Sequence, residues 1–470
     1  MIDGFQIVEE IAKGQKEREN INRNGEYIEN GIDLDPKFLK LPILISRINQ
    51  NIDIEKRNND VLSQSLEEIL DFCEDNDFPL ETFTYFNLHF LIWQLLQTKL
   101  EDNILSYLLE LISYHYCYNS IAITVLLDHT QIIQFLVDIY ANRNTNNYMH
   151  YILDGISGVI RYSPKFKNIF FSQGLDLYIS TIFNEDKDHK ISYEIVVLIK
   201  SVILPPVSDL YYSKILSFLQ IFTTLLQYRD YDIIKTIFTS LRHLIQLYPQ
   251  SKQTIVQQNF QIIAQHFILD TNTKFKTIKS ILYFLRFLCD GNSELTQSIV
   301  TLDLLNAIYR ILSENDDIPD QLNYLLIDIR NILMNNGNLI PLFVQSNLFQ
   351  YTLESARQSS FFVSIQCCTT LCQMILTGNN QLIDILIENN FIECYSQILD
   401  CDEVNILSVG LMSLQYLLDY ISKISQPLYE NICSQEWLHE LVTDVLLLEN
   451  DAYEIASAIN INHFVRKLNE

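Results

Sequence analysis

A chain of 470 residues would ordinarily hold two to four compact domains, but its 11 Gly and 10 Pro fall well below the usual roughly 7% and 5%. Strand-rich folds need both residues at their many turns, so helices joined by short connections are expected, and 48% apolar residues suffice for a continuous core. The 58 acidic against 32 basic residues, a net charge of −26, exclude nucleic acid and anionic membranes as partners, because both are bound by neutralising phosphates with Lys and Arg.

Residues 1–40 form the first segment, and "KGQKERENINRNGEYIENG" reads as a polar, flexible arm. The opening "MIDGFQIVEEIAKGQ" lacks an apolar run behind a basic start, so no signal peptide is expected. No uncharged apolar run reaches the length of a membrane span, so none is expected either.

From residue 41 to residue 470 a short pattern recurs. Phe83–Asn87, Leu127–Gln131, Phe171–Leu175, Tyr211–Ile215, Val256–Phe260, Val300–Leu304, Val344–Leu348, Ile387–Phe391 and Ile432–Glu436 follow one another at steps of 40 to 45 residues. Such a period admits helical repeats or propeller blades, and the hydrophobic spacing chooses between them. In "ILSVGLMSLQYLLDYI" the apolar residues Ile406, Val409, Leu414, Leu417 and Leu418 fall on three- and four-residue steps, the mark of an amphipathic helix. "TIKSILYFLRFLCD" and "QLNYLLIDIRNILMN" read the same way. Each unit is therefore a short, a medium and a long helix. Gly291, Gly337 and Gly378 stand just after long helices, where Gly suits a left-handed cap. The expected fold is all-α: a right-handed armadillo-repeat superhelix, an α-solenoid of about nine three-helix repeats, with the long helices lining its concave side.

Catalytic signatures are missing from the sequence: there is no Gly-rich phosphate loop, no His-Glu-x-x-His, no nucleophile elbow and no CxxC. The nine cysteines are odd in number and lie in helical patterns, so a reducing compartment is expected. Cys367, Cys368 and Cys372 read as small core residues, since a zinc site wants four ligands. No catalytic residue, metal or cofactor is expected. Binding is left, and the concave face is where solenoids engage partners.

Aligned on the repeat, the long helices present one column of Tyr107, Asp154, Val197, Thr239, Tyr283, Ile327, Thr369 and Met412. A turn later come Leu111, Gly158, Ser201, His243, Phe287, Asn331, Gln373 and Tyr416. Beside them runs a basic row, Lys200, Arg242, Arg286 and Arg330. Two readings of the row stand open: carboxylates of neighbouring repeats pair with it, or it meets an acidic partner segment.

The end of the chain, "DEVNILSVGLMSLQYLLDYISKISQPLYENICSQEWLHELVTDVLLLENDAYEIASAININHF", resembles the last armadillo repeats of importin alpha, the nuclear-import adaptor. Leu447-Leu448-Glu449-Asn450 and Ala452-Tyr453-Glu454 carry the likeness, and "QLIDILIENNFIECYSQIL" is similar to the preceding repeat of that family. The resemblance implies an adaptor that holds an extended basic peptide, such as a nuclear localisation signal, in its groove. It also implies an importin-beta-type carrier as a second partner, and the cytoplasm and nucleus as the setting. The family grips its peptide with Trp-x-x-x-Asn pairs. Here no Trp stands in the first column, Tyr107 and Tyr283 offer weaker aromatic faces, and the second column keeps Asn331 with Gln373 as substitute. The carrier-binding arm is thin, with Lys13, Lys16, Arg18 and Arg23. The implied groove residues are Tyr107, Asp154, His243, Tyr283, Phe287, Asn331, Gln373 and Tyr416. A general armadillo scaffold for cytoskeletal or signalling assemblies is the alternative.

Overall fold

The recurring marker is a helix junction. Gly174 (φ 87°), Asn259 (φ 63°) and Asn390 (φ 50°) stand in the left-handed region between the first and second helices of their repeats. Gly and Asn adopt this conformation at the lowest steric cost, which explains the fourth marker position in "FSQGL", "VQQNF" and "IENNF". The residue that follows, Leu175, Phe260 or Phe391, drops into the core. Three further junctions are built from an extended residue instead: Thr301 (ψ 162°), Ser346 (ψ 155°) and Gln435 (ψ 111°). Thr301 also caps the next helix by accepting from the Leu304 N–H.

The computed structural model describes residues 40–73, 88–118, 149–162, 164–172, 174–185, 189–204, 211–315, 319–334, 336–401, 403–447 and 452–464. The expected arm before residue 40 and the markers at 83–87 and 127–131 lie outside these. Six of the seven remaining markers fall at junctions, and one needs correction. Tyr211–Ile215 lies at the start of the helix Tyr212–Ser217, and the bend comes at Phe218. Phe218 keeps right-handed dihedrals (φ −70°, ψ −16°), so no Asn or Gly marks it in the sequence. Gly291 (φ 71°) and Gly378 (φ 76°) do close long helices as left-handed residues. Gly337 does not: it opens a 3-10 turn, Gly337–Leu339, capped by the Asn336 side chain accepting from the Asn338 N–H.

The long helices are labelled α1 (Asn59–Cys73), α2 (Asp102–Tyr118), α3 (Met149–Tyr162), α4 (His189–Ile203) and α5 (Tyr231–Leu247). They continue as α6 (Phe275–Cys289), α7 (Pro319–Met334), α8 (Phe361–Ile375) and α9 (Val404–Ile424), with the short α10 (Tyr453–Ile459) last. In α5 the apolar stripe Ile233, Ile234, Ile237, Phe238, Leu241, Leu244 and Ile245 is buried at helical spacing. Asp230 caps its start, its carboxylate accepting from the N–H groups of Asp232 at 2.9 Å and Ile233 at 2.8 Å.

The chain forms two compact units, Met1–Ser163 and Pro164–Glu470. In the first, α1 packs on α2 and α2 on α3. Arg57 ties two repeats there, its guanidinium donating to Thr98 Oγ1 at 2.9 Å and to the Lys99 carbonyl at 3.1 Å. In the second unit each of α4 to α9 packs on the next long helix, ending on α10, and the medium helices Phe260–Leu269, Leu302–Ser313 and Asn347–Gln358 stack in the same order. Like helix therefore rests on like helix, one repeat apart. No strand occurs among the described residues. Cross-repeat bonds reinforce the stack: Asn336 Nδ2 donates to the Ser293 carbonyl at 3.0 Å, and Thr277 Oγ1 to the Tyr231 carbonyl at 3.2 Å. Lys167, 1% exposed, donates its ammonium to the Leu204 carbonyl.

One described helix, α9, is long and apolar enough to cross a membrane by length and composition. It carries Asp419 and Lys423, and half of its most apolar window is buried against its neighbours, as in a core helix.

Candidate binding face on the long helices

In the first unit Tyr107 lies on α2 and Asp154 on α3, both half-buried. The other candidate residues belong to the second unit. Leu111, Ser201 and Thr369 are buried, so the two aligned columns are interrupted at these points. What the face does present is a chain of contacts from each repeat to the next. The Arg242 guanidinium on α5 lies 4.5 Å above the ring of Tyr283 on α6. Arg286, also on α6, donates from Nη1 to Asp328 Oδ1 on α7 at 3.1 Å. Arg330 on α7 donates from Nη1 to Gln366 Oε1 on α8 at 3.0 Å. One geometry repeats three times, a guanidinium reaching forward one repeat, with an aromatic ring, a carboxylate and an amide as successive receivers.

Around Tyr283 the packing is dense. Its ring centroid is 5.2 Å from that of Phe287, and the Arg286 guanidinium lies 5.7 Å from Tyr283 and 5.4 Å from Phe287. The aromatic surface that the sequence offered to a partner's Lys or Arg stem is thus already in contact with two of the chain's own cations. His243 sits beside Arg242, its Nε2 hydrogen-bonded to the guanidinium. Burial, and then the charges of Arg242 and Lys200, hold His243 down at about 3, so it is neutral near pH 7. Burial, with Arg286 adding to it, also lowers Arg330. Both effects report burial first, with neighbouring positive charge adding to it.

Asn331 spends its amide locally, Nδ2 donating to the Ile327 carbonyl at 2.8 Å. Tyr416 on α9 arches over the turn at Gly378, where an added Cβ would stand 3.0 Å from its hydroxyl oxygen. Gln373 is half-buried on α8. Sequence alignment missed Asp328 and Gln366, because a column records what recurs and these two receivers differ between repeats. An acid set within the apolar run "LLIDIR" was the signal the sequence offered for Asp328.

Cys367, Cys368 and Cys372 on α8 are buried, and so is Cys394 after the next junction. Burial pushes the Cys372 thiol up to about 12, so it stays protonated. Among the described residues no group of three or more His, Cys, Asp or Glu is arranged to hold a metal ion.

No protein-family model matches the chain. No curated protein matches it either. Among solved structures it is similar to an engineered protein from a structural genomics consortium, with a TM-score of 0.69 and 11% identity over 88% of this chain and 97% of that one. It is also similar to a designed armadillo repeat protein solved in complex with the peptide (KR)4, with a TM-score of 0.45 and 12% identity over 53% of this chain and 99% of that one. Within each unit the fold is an all-α solenoid, with like helix stacked on like helix one repeat apart. At such identities the likeness concerns the fold alone.

Proposed function

We propose that this chain is a non-enzymatic protein-binding scaffold that holds an extended segment of a partner along the long helices of its second unit. One observation carries the reading. The forward-reaching contacts of Arg242, Arg286 and Arg330 place one fixed polar group per repeat on that face, a periodic surface matched to an extended chain. Groups already held in place lose little freedom when a partner arrives.

A photo-crosslinking residue tests it. Installed in place of Val197, Thr239 or Ile327 on the long-helix face, it should trap the partner through one continuous stretch of the partner's sequence. Installed at the exposed Ile262 on a medium helix, it should trap nothing specific. Equal capture at Ile262 would refute the assignment of the face.

The narrower role implied by the resemblance is an importin-alpha-like adaptor for nuclear import, acting in cytoplasm and nucleus with an importin-beta-type carrier. It requires a groove that accepts a basic signal, and recovery of such a carrier in an affinity pulldown would support it.

A further inference from the structure

The charge of the chain is distributed against its average. The helices α4, α5 and α6 carry seven Lys and Arg against two acidic residues, in a protein with 58 acids and 32 bases. The cations fall in register. Lys200, Arg242, Arg286 and Arg330 form one row, and Lys235 and Lys279 form a second, two turns nearer the helix starts. Lys235 is exposed, while Lys200 and Lys279 are half-buried. Arg286 keeps 26% of its side-chain surface exposed although it grips Asp328. The acid in that pair is almost wholly enclosed, so what the pair turns outward is positive.

We propose that the partner segment is acidic, an extended peptide with Asp or Glu at about every third position, laid across the row from Lys200 to Arg330. This rests on the scaffold reading above. The spacing follows from two lengths. Packed helices lie about 8–10 Å apart, and an extended chain in the polyproline II form advances about 3.1 Å per residue with three residues per turn, so one repeat corresponds to about three residues and every third side chain returns to the face turned to the row. One carboxylate then meets one cation per repeat. The remaining acids of the solenoid do not prevent this at ordinary ionic strength, where charges farther apart than about 10 Å are screened. A basic segment meets the opposite situation, because Tyr283 already receives Arg242 and Arg286, and each added Lys would be repelled by the cations of the row.

The test uses the full chain and three fluorescent peptides of equal length in about 0.1 M salt: Glu at every third position among Ser, the same residues with the Glu clustered, and Lys at every third position. The periodic Glu peptide should bind best, and its affinity should fall as salt rises. Changing Lys200, Lys235 and Lys279 together to Gln should weaken it about tenfold and flatten the salt dependence. Circular dichroism would confirm that the helices persist, and the variant leaves the Arg286–Asp328 pair intact. The proposal is overturned if the periodic Glu peptide fails to bind, binds no better than the clustered one, or ignores the triple change. If the Lys peptide binds instead, and Thr239 crosslinks to it, the scaffold reading stands and the acidic one falls. If crosslinking at the face fails as well, both fall.

Discussion

Removing Arg286 tests the forward-reaching contacts where the structure makes them strongest. Its acceptor, Asp328, has 6% of its side chain exposed, against 26% for Arg286. Deleting one partner of a fully buried pair costs about 3–5 kcal/mol because a charge is left behind, while an exposed pair contributes about 0.2–1 kcal/mol. This pair lies between those limits, and Gln at 286 retains an N–H donor, so Arg286→Gln should cost about 2 kcal/mol. Arg242→Gln, which loses the ring contact with Tyr283 and the hydrogen bond to His243, should cost about 1 kcal/mol. The decisive measurement is a double-mutant cycle with Asp328→Asn, read by native-state hydrogen exchange of the α6 and α7 amides. Exchange suits a solenoid better than a global melt, because each repeat packs only on its neighbours and openings are local. In the Asp328→Asn background Arg286→Gln should be milder by about 1–2 kcal/mol. A cost unchanged by the background would refute the pairing, and so would protection lost equally in α10.

Three further outcomes are expected. His243 is held well below its ordinary value, so the unfolded chain takes up a proton from about pH 6.5 downward that the folded chain refuses until about pH 3. Stability should therefore be intact above pH 6.5 and decline on acidification by up to about 1.4 kcal/mol per pH unit; in His243→Gln the decline between pH 6.5 and 4.5 should shrink, as denaturation at stepped pH would reveal. Gly410→Ala places a methyl 2.3 Å from Cγ2 of the buried, stiff Ile398 and should cost about 1–3 kcal/mol, partly relieved by adding Ile398→Ala, with thermal melts as the readout. Asp230→Ala removes both N-terminal caps of α5 and the His189 contact at 2.7 Å, and should cost about 1–2 kcal/mol, seen as faster exchange at the start of that helix.

The repeat was legible in the sequence wherever a residue has one conformational job. Asn259, Asn390 and Gly174 announce a left-handed junction, and Gly291 and Gly378 a left-handed cap, so those boundaries lay in plain view. Phe218 bends its repeat with ordinary right-handed dihedrals, and Gly337 opens a 3-10 turn, so neither could be placed from residue type alone. The basic row was equally visible, since charge recurs at the repeat spacing. Its receivers were not, because a guanidinium can be satisfied by a ring, a carboxylate or an amide. Tyr283, Asp328 and Gln366 share no property that a column can register.

The two junction types also bear on how such a chain can grow or shrink. Asn259 and Asn390 share a backbone conformation and are each followed by a fully buried Phe. Excising residues 260–390 would leave Asn259 joined to Phe391 with a left-handed turn and a buried Phe anchor as before. Unequal crossing-over between these points would produce a shorter solenoid without mending the seam. A recombination that joined Asn259 to Leu302 would fare worse. It would delete Thr301, the extended residue whose hydroxyl starts the helix at Leu302, and would ask a left-handed Asn to take its place. Repeat number can therefore drift most easily between junctions of one kind, so the marker that sets the fold's spacing also sets the points at which its length can change.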